Sequence, residues 1–185
     1  MSNKKSNKNT ASTNRSVKQR LHTSPFPTLW LRIFRTAVIV LQGIVSGCSV
    51  ITCIMSVVSS LSEEVRQELS QDKINTVLPL FNVYNIVLSV LLAAVVLLCV
   101  ITYRKMTELT CESYKCLKLF IIFTSCVNAV STAGGELFRY FIFENTKYQV
   151  DVSNIIFSAF SVALMAVWMI FNLRYFHIRK SIFED

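Results

Sequence analysis

Long apolar stretches without charged residues alternate with short polar connections along this chain. The runs 36–61, 74–103 and 152–173 contain no Asp, Glu, Lys or Arg, and a shorter run covers 119–135. A helix needs about 20 residues to cross the ~30 Å hydrocarbon core of a bilayer, so each long run suffices for one crossing. Backbone groups in lipid must be paired within their own segment, which predicts helices. The continuous apolar runs do not fit the alternating pattern of an outer-membrane β-barrel.

The pattern therefore predicts an all-α fold, an integral membrane four-helix bundle over residues 29–176. The helices are expected approximately at 34–62, 77–103, 117–140 and 152–174. Residues 1–28 are polar and basic, and such a composition cannot bury a core, so we expect a disordered cytoplasmic tail. Residues 177–185 are expected to form a second, short cytoplasmic tail. The first apolar run is too long for a cleaved signal peptide, and we expect it to be retained.

The basic residues predict how the bundle is oriented. Of the 19 Lys and Arg residues, 15 lie before the first run, between the second and third runs, or after the fourth. The other four are Arg66, Lys73, Arg139 and Lys147. Cytoplasmic segments of membrane proteins carry an excess of Lys and Arg, so both termini and the middle connection are expected in the cytoplasm. The pattern does not indicate which membrane.

The overall charge agrees with a lipid partner. The chain is 52% hydrophobic, with a mean hydropathy of +0.48 and a net charge of +8. On a soluble protein this charge would suggest nucleic acid, but basic residues that flank apolar runs indicate anionic lipid headgroups instead. We expect no nucleic-acid partner. The tail residues expected to contact lipid are Lys4, Lys5, Lys8, Arg15, Lys18 and Arg20.

The stretch STAGGELFRYF places Glu136 and Arg139 at the end of the third apolar run. Glu136 is 17 residues beyond Leu119, or roughly 25 Å along a helix, which is near the edge of the hydrocarbon core. The three-residue spacing allows the two side chains to pair on one helix face. We interpret them as an interfacial ion pair. The alternative is a charge held within the membrane on an ion or proton path.

Small and polar residues recur on the predicted helices at spacings that mark helix contacts. The predicted packing positions are Gly43, Ser46, Gly47, Ser49, Cys53, Asn128, Gly134, Gly135, Ser158 and Ser161. Packing within one subunit is the favoured interpretation, with a dimer interface or a pore lining as alternatives. Asn128 lies near mid-membrane, where an amide should face protein. Gln42, Ser46 and Ser161 lie at a similar depth.

The sequence lacks the motifs of common enzymes. It contains no H-E-x-x-H, no G-x-S-x-G and no phosphate-binding glycine loop, so we expect neither an enzyme nor a cofactor or metal. The apolar runs of helices one, two and four hold no charge, unlike those of most proton-coupled transporters. Cys111 and Cys116 lie beside the membrane in the middle connection and are candidates for palmitoylation. Unmodified thiols are the alternative.

LQGIVSG in the first helix and NAVSTAGG in the third resemble the small, Asn- and Gly-bearing helices of the membrane-spanning four-domain family of B-cell-antigen-like proteins. The four-pass architecture is also similar to that of MARVEL-type proteins. We expect a non-enzymatic membrane organiser, adaptor or receptor-complex component that acts through helix contacts and cytoplasmic segments, as a homo-oligomer or with other membrane proteins. The alternative is an ion channel or channel-accessory subunit that oligomerises through its small and polar helix faces. A lipid-handling enzyme is a third, weaker interpretation.

The predicted topology can be tested with engineered glycosylation acceptors. An acceptor placed between Glu63 and Asp72 should be modified, because the positive-inside rule puts that connection outside the cytoplasm. An acceptor near Glu108 serves as the control and should stay unmodified. The reverse pattern, measured as a mass shift on a gel, would contradict the topology.

Overall fold

The computed structural model describes residues 29–62, 71–142 and 151–183. In these ranges the chain forms four long helices and no strand, so the predicted all-α fold is confirmed. All four helices are long and apolar enough to cross a membrane. They are α1 (Leu29–Ser60), α2 (Gln71–Lys105), α3 (Cys111–Ile142) and α4 (Val152–Ile178). The predicted basic tail, with Lys4, Lys5, Lys8, Arg15, Lys18 and Arg20, lies outside the described residues.

The helices extend beyond the charge-free runs. Residues 71–76 and 111–116 add turns to the starts of α2 and α3, and α4 continues to Ile178. Long charged side chains can reach away from an apolar environment while their backbone stays helical, so a run that stops at the first charge underestimates the helix. The backbone of α1 widens to a π-helical turn at Phe34–Val38 and then returns to α-helix.

The helices expose large apolar side chains on their outer faces and bury several polar ones beside the apolar core. Large apolar side chains such as Leu41, Leu97 and Phe157 are more than half exposed. Polar side chains such as Ser46 and Asn172 are fully buried. In water this arrangement would be costly, because exposed apolar patches of this extent are unusual on soluble monomers. It is the arrangement expected of helices surrounded by lipid, which need polar contacts between helices rather than on their outer faces.

A heptad repeat of buried residues forms the seam of α2. The buried positions alternate by three and four residues: Leu78, Phe81, Asn85, Leu88, Leu92, Val95, Cys99 and Thr102. On α1 the buried positions Ile39, Ser46, Cys53 and Ser60 follow each other every seven residues. This period keeps one face of each helix turned toward its neighbour, as in left-handed coiled coils. Close contacts join α1 to α2, α2 to α3, and α3 to α4.

Aromatic side chains close one end of the bundle. This basic end carries Arg35, Arg104, Lys118 and Arg174, and it holds the start of α1 and the end of α4. The ring of Phe34 is fully buried there. Its centroid is 5.0 Å from that of Phe176 on α4 and 6.1 Å from those of Phe120 on α3 and Trp168 on α4. Rings at these separations pack favourably, so Phe34 joins α1 to both later helices.

A short connection and a C-terminal turn complete the basic end. Thr110 caps α3 through its hydroxyl, which accepts a hydrogen bond from the Ser113 N–H at 3.3 Å. The Ser113 hydroxyl in turn donates to the Lys105 carbonyl at 2.6 Å. The final residues expected to form a short tail instead continue α4 to Ile178 and fold back as a 3-10 turn over Lys180–Phe183. Phe183 is buried there against Tyr114, so this part of the chain is packed onto α3.

The side chain of Tyr84 on α2 packs against α3 at Gly134. Its hydroxyl donates to the Val130 carbonyl at 2.9 Å. A Cβ at Gly134 would lie 2.9 Å from the ring atom Cε2 and closer still to the hydroxyl oxygen. At Gly135, a Cβ would meet no described atom within 4 Å. The two neighbouring glycines therefore differ, because only Gly134 makes room for the tyrosine.

This difference predicts opposite effects of two alanine substitutions. Gly134→Ala should destabilise the bundle by about 1–3 kcal/mol, because the added methyl overpacks the Tyr84 contact. Gly135→Ala is the matched control and should stabilise it by up to about 1 kcal/mol through helix propensity. Melting temperatures in detergent measure both. Equal stabilisation by the two variants would mean that Tyr84 does not cross at Gly134.

Candidate functional site: a polar cavity between the first three helices

A cavity of about 310 Å³ lies between α1, α2 and α3, in the half of the bundle away from the basic end. We call it the polar cavity. Its polar lining residues are Thr52, Cys53, Ser56, Tyr84, Asn85, Ser131, Thr132, Glu136 and Arg139. Phe81, Leu88 and Gly135 complete the lining. The site thus gathers hydroxyl, amide and charged groups inside a bundle whose outer surface is apolar.

The packing of α3 explains why a cavity exists in this half. The buried residues of α3 all lie between Ser113 and Val127, and from Asn128 onward its described side chains are partly or fully exposed. The later part of the helix carries Ser131, Thr132 and two glycines, which are too small to fill the space between helices. Helix α4 contacts this part of α3 from the other side, where the Ser158 hydroxyl donates to the Thr132 carbonyl at 3.1 Å.

Both charged residues of the predicted ion pair line this cavity. The Arg139 Nη1 and Glu136 Oε1 atoms are 3.9 Å apart, and the side chains are 50% and 30% exposed. Charge-assisted hydrogen bonds are shorter, about 2.7–2.9 Å, so the contact is weak and leaves both groups able to bind elsewhere. Glu136 lies six residues before the end of α3, and Arg139 falls in its last turn.

An amide pair lies on the basic-end side of the polar cavity, outside its lining. The Gln42 and Asn128 side chains donate to each other's carbonyl oxygens, both at 3.3 Å, and so join α1 to α3. Gln42 also donates to the buried hydroxyl of Ser46 at 3.0 Å. Ser161, the third residue predicted at this depth, instead donates to the Phe157 carbonyl of its own helix. Between this amide pair and the basic end, Ile121 and Phe120 fill the space.

A second cavity of about 260 Å³ continues the polar one along α1. The two share Thr52, Ser56, Phe81 and Arg139, and the second adds Ser59 and Ser60. The Ser60 hydroxyl donates to the Asn82 side-chain oxygen at 2.7 Å. A hydroxyl-bearing face of α1 therefore borders both spaces, with Arg139 between them.

The predicted packing residues fall into two groups. Gly43 meets Cys99 of α2, where an added Cβ would lie 3.6 Å from the Cys99 Cβ, and both Ser46 and Cys53 are buried. A Cβ added at Gly47 would meet no described atom within 4 Å. A separation of four residues turns the side-chain direction by about 40°, which carries Gly47 away from the contact made by Gly43. The Ser49 hydroxyl donates to the Val45 carbonyl of its own helix.

The two palmitoylation candidates differ in their surroundings. Cys111 is exposed at the start of α3, while the Cys116 sulfur lies 3.5 Å from the Thr102 hydroxyl of α2. Modification of either thiol stays a prediction. Within the described ranges, all six cysteines are free and no three His, Cys, Asp or Glu side chains come together as a metal site would need.

Sequence reasoning missed the contribution of α2 to this site. Asn82, Tyr84 and Asn85 interrupt an otherwise apolar run, and that interruption was the available signal. It also missed the bond from the Trp30 indole N–H to the Asn172 side-chain oxygen, 3.1 Å long, which joins α1 to α4 at the basic end.

Comparisons with protein-family models, with curated proteins and with solved structures found no match to this chain. The resemblance to the membrane-spanning four-domain and MARVEL-type proteins stays an interpretation of the sequence.

The amide pair of Gln42 and Asn128 predicts a coupled effect of two substitutions. Asn128→Leu should destabilise the bundle by about 0.6–2 kcal/mol, the range of interhelical hydrogen bonds in membranes. Gln42→Leu should cost a similar amount, and the double variant should cost less than the two added together because they share one interaction. Thermal unfolding in detergent measures the cycle, with the exposed Asn75→Leu as control. Strict additivity would mean that the two amides do not pair.

Proposed function

We propose that this chain is a non-enzymatic four-pass membrane protein that acts as an organiser, adaptor or receptor-complex component. In this proposal, the polar cavity receives a polar or charged side chain from a transmembrane segment of a partner protein. The observation that carries the proposal is the cavity itself, which presents hydroxyl, amide and charged groups within a bundle of apolar outer surface.

Two features support a place in the membrane with both termini in the cytoplasm. The outer faces of all four helices are apolar, as lipid requires. Arg32, Arg35, Arg104, Lys105, Lys115, Lys118, Arg174, Arg179 and Lys180 belong to the basic end, whereas Lys73 and Arg139 are the described basic residues of the opposite half. This asymmetry favours a cytoplasmic basic end.

The energetics of the polar cavity favour a partner. Hydroxyl and amide groups facing an apolar medium without hydrogen bonds cost about 1–3 kcal/mol each by protein mutational data. The hydroxyls of Thr52 and Ser56 reduce this cost by donating to carbonyls of their own helix. Among the described residues, the Glu136 and Arg139 side chains have only their long contact with each other. A partner helix that carries a polar or charged residue would supply the missing partners.

The channel alternative has one observation in its favour. Ser49, Thr52, Ser56 and Ser59 form a hydroxyl-bearing face of α1 that several copies could turn toward a shared pore. Within one chain, the aromatic packing around Phe34 fills the basic end, which favours the adaptor. Current recording on the reconstituted chain, set beside its oligomer mass in detergent, separates the two functions. Ion currents that Asn128→Leu alters would favour the channel.

A photoreactive residue in native membranes tests the adaptor. Placed at position 56, it should form adducts with a second polypeptide, because Ser56 lines both cavities. Placed at position 58, it should label lipid, since Val58 is 57% exposed two residues further along the same helix. Mass spectrometry of the adducts identifies the labelled molecule.

A second substitution makes the test specific to the polar cavity. Gly135→Leu places a side chain into open space at the cavity wall, so it should fill the site without unfolding the bundle. The adducts from position 56 should then be lost, while those from position 58 persist. Polypeptide adducts that are equal from both positions, or that Gly135→Leu leaves unchanged, would contradict a partner seated in the cavity.

A further inference from the structure

A second, apolar groove lies between α1 and α2 near the basic end, separate from the polar cavity. It has a volume of about 390 Å³, and aliphatic side chains such as Ile39 and Val100 line it. Gly43 forms part of its wall and has no side chain to fill it. On α2 the lining extends from Val96 to Arg104, which is about 12 Å of helix and nearly the depth of one ~15 Å leaflet.

One guanidinium group lines the basic end of this groove, and a second packs against a ring that lines it. Arg104 is exposed and lines it, and no carboxylate among the described residues pairs with it. The Arg35 guanidinium carbon lies 5.2 Å from the centre of the Tyr103 ring, which also lines the groove. The Arg35 Nε is buried and has no hydrogen-bond partner among the described residues. A buried donor without an acceptor costs about 1–3 kcal/mol, so an acceptor at this side chain would be stabilising.

The local backbone contributes to this arrangement. Arg35 belongs to the π-helical turn Phe34–Val38, which changes the direction of the residues on either side of it. Single π-helical turns occur frequently at functional sites because they displace side chains from the regular helical pattern. Here Phe34 points into the aromatic core while Arg35, the next residue, reaches Tyr103 on α2.

We infer that this groove binds an anionic phospholipid of the leaflet at the basic end. One acyl chain lies along the apolar wall past Gly43, and the phosphate accepts hydrogen bonds from Arg35 and Arg104. Arginine guanidinium is suited to this role because its fork of donors matches phosphate oxygens. The inference rests on the membrane placement of the proposed function but not on the polar cavity.

Charge complementarity selects this occupant over a partner helix or a neutral lipid. A transmembrane helix of another protein would seldom bring an anion to the membrane edge at this depth, whereas every anionic phospholipid does. A zwitterionic lipid would place an ammonium group beside the two guanidinium groups. A soluble phosphate could meet the arginines but would leave the apolar wall uncovered.

Lipid binding to the full chain, purified in neutral detergent, tests the inference. Native mass spectrometry would count bound phosphatidylglycerol and phosphatidylcholine of identical acyl chains, and the melting temperature would be followed in parallel. We expect tighter binding of phosphatidylglycerol and a rise in melting temperature with it. Arg104→Gln and Arg35→Gln should each weaken it about tenfold, because hydrogen bonds to charged groups contribute roughly that much.

Three comparisons make the result decisive. Arg32→Gln is the matched control, since Arg32 is exposed at the same end and does not line the groove, and it should leave binding unchanged. Gly43→Leu, or Val100→Trp from the exposed side, should block the acyl chain and weaken both lipids. Inorganic phosphate should not compete at concentrations similar to those of the lipid.

Several outcomes would overturn the lipid site. Equal binding of both lipids would show that the groove does not select an anionic headgroup. An equal loss of binding in Arg32→Gln would show that the effect comes from general surface charge. Full competition by inorganic phosphate would show a soluble anion site. These results leave the photoreactive labelling at position 56 untouched, so failure of the lipid site and failure of the adaptor function are distinguishable.

Discussion

Phe34 holds the basic end of this bundle together, because its ring packs against aromatic rings of both α3 and α4. In water, burial of a phenylalanine would contribute about 1.5–3 kcal/mol through the hydrophobic effect alone. Between helices in lipid that driving force is largely absent, and shape and packing remain. Aromatic pairs contribute about 0.5–1.5 kcal/mol each beyond burial. Three such contacts on one ring therefore make this end the better fixed part of the molecule.

The opposite half is held by weaker interactions. Its contacts between helices include the hydroxyl of Ser60 with Asn82, that of Tyr84 with Val130, and that of Ser158 with Thr132. Interhelical hydrogen bonds in membranes average only about 0.6 kcal/mol. Small side chains at Ser131, Thr132 and Gly135 leave space rather than fill it. The polar cavity is thus the consequence of a bundle that is well packed at one end only.

The number of helices could be predicted well from the sequence, and the contacts between helices less well. The charge-free runs are long enough that only helices could satisfy their backbone, so four helices followed from composition alone. The starts of α2 and α3 were predicted too late, because the mostly polar residues 71–76 and 111–116 are helical. Depth along a helix could be counted, which brought Gln42, Ser46 and Asn128 to one level. The rotation of each helix about its axis could not be predicted. Ser161 and Gln42 were therefore placed at the same depth, without a way to choose which of them pairs with Asn128.

For α2, the sequence nevertheless contained a signal for the rotation of the helix about its axis. The buried positions of α2 recur every three and four residues from Leu78 to Thr102, and the polar Asn85 falls on that seam. An amide on a heptad seam of an apolar helix indicates which face turns inward. The difference between Gly134 and Gly135 was not readable, because it depends on where the ring of Tyr84 arrives from another helix.

Helix α1 carries both proposed sites, and its composition changes along its length to suit each. Near the basic end, Ile39, Val40 and Gly43 offer an apolar wall beside Arg35. Further on, Thr52 and Ser56 offer hydroxyl groups beside Arg139. Gly43 and Thr52 are nine residues apart, about 13 Å along the helix, and sites beyond roughly 7–10 Å usually act independently. An acyl chain and a phosphate suit the first site, and a polar helix suits the second. In the two proposals taken together, the same helix binds lipid and protein at once, with little energetic coupling between the two sites.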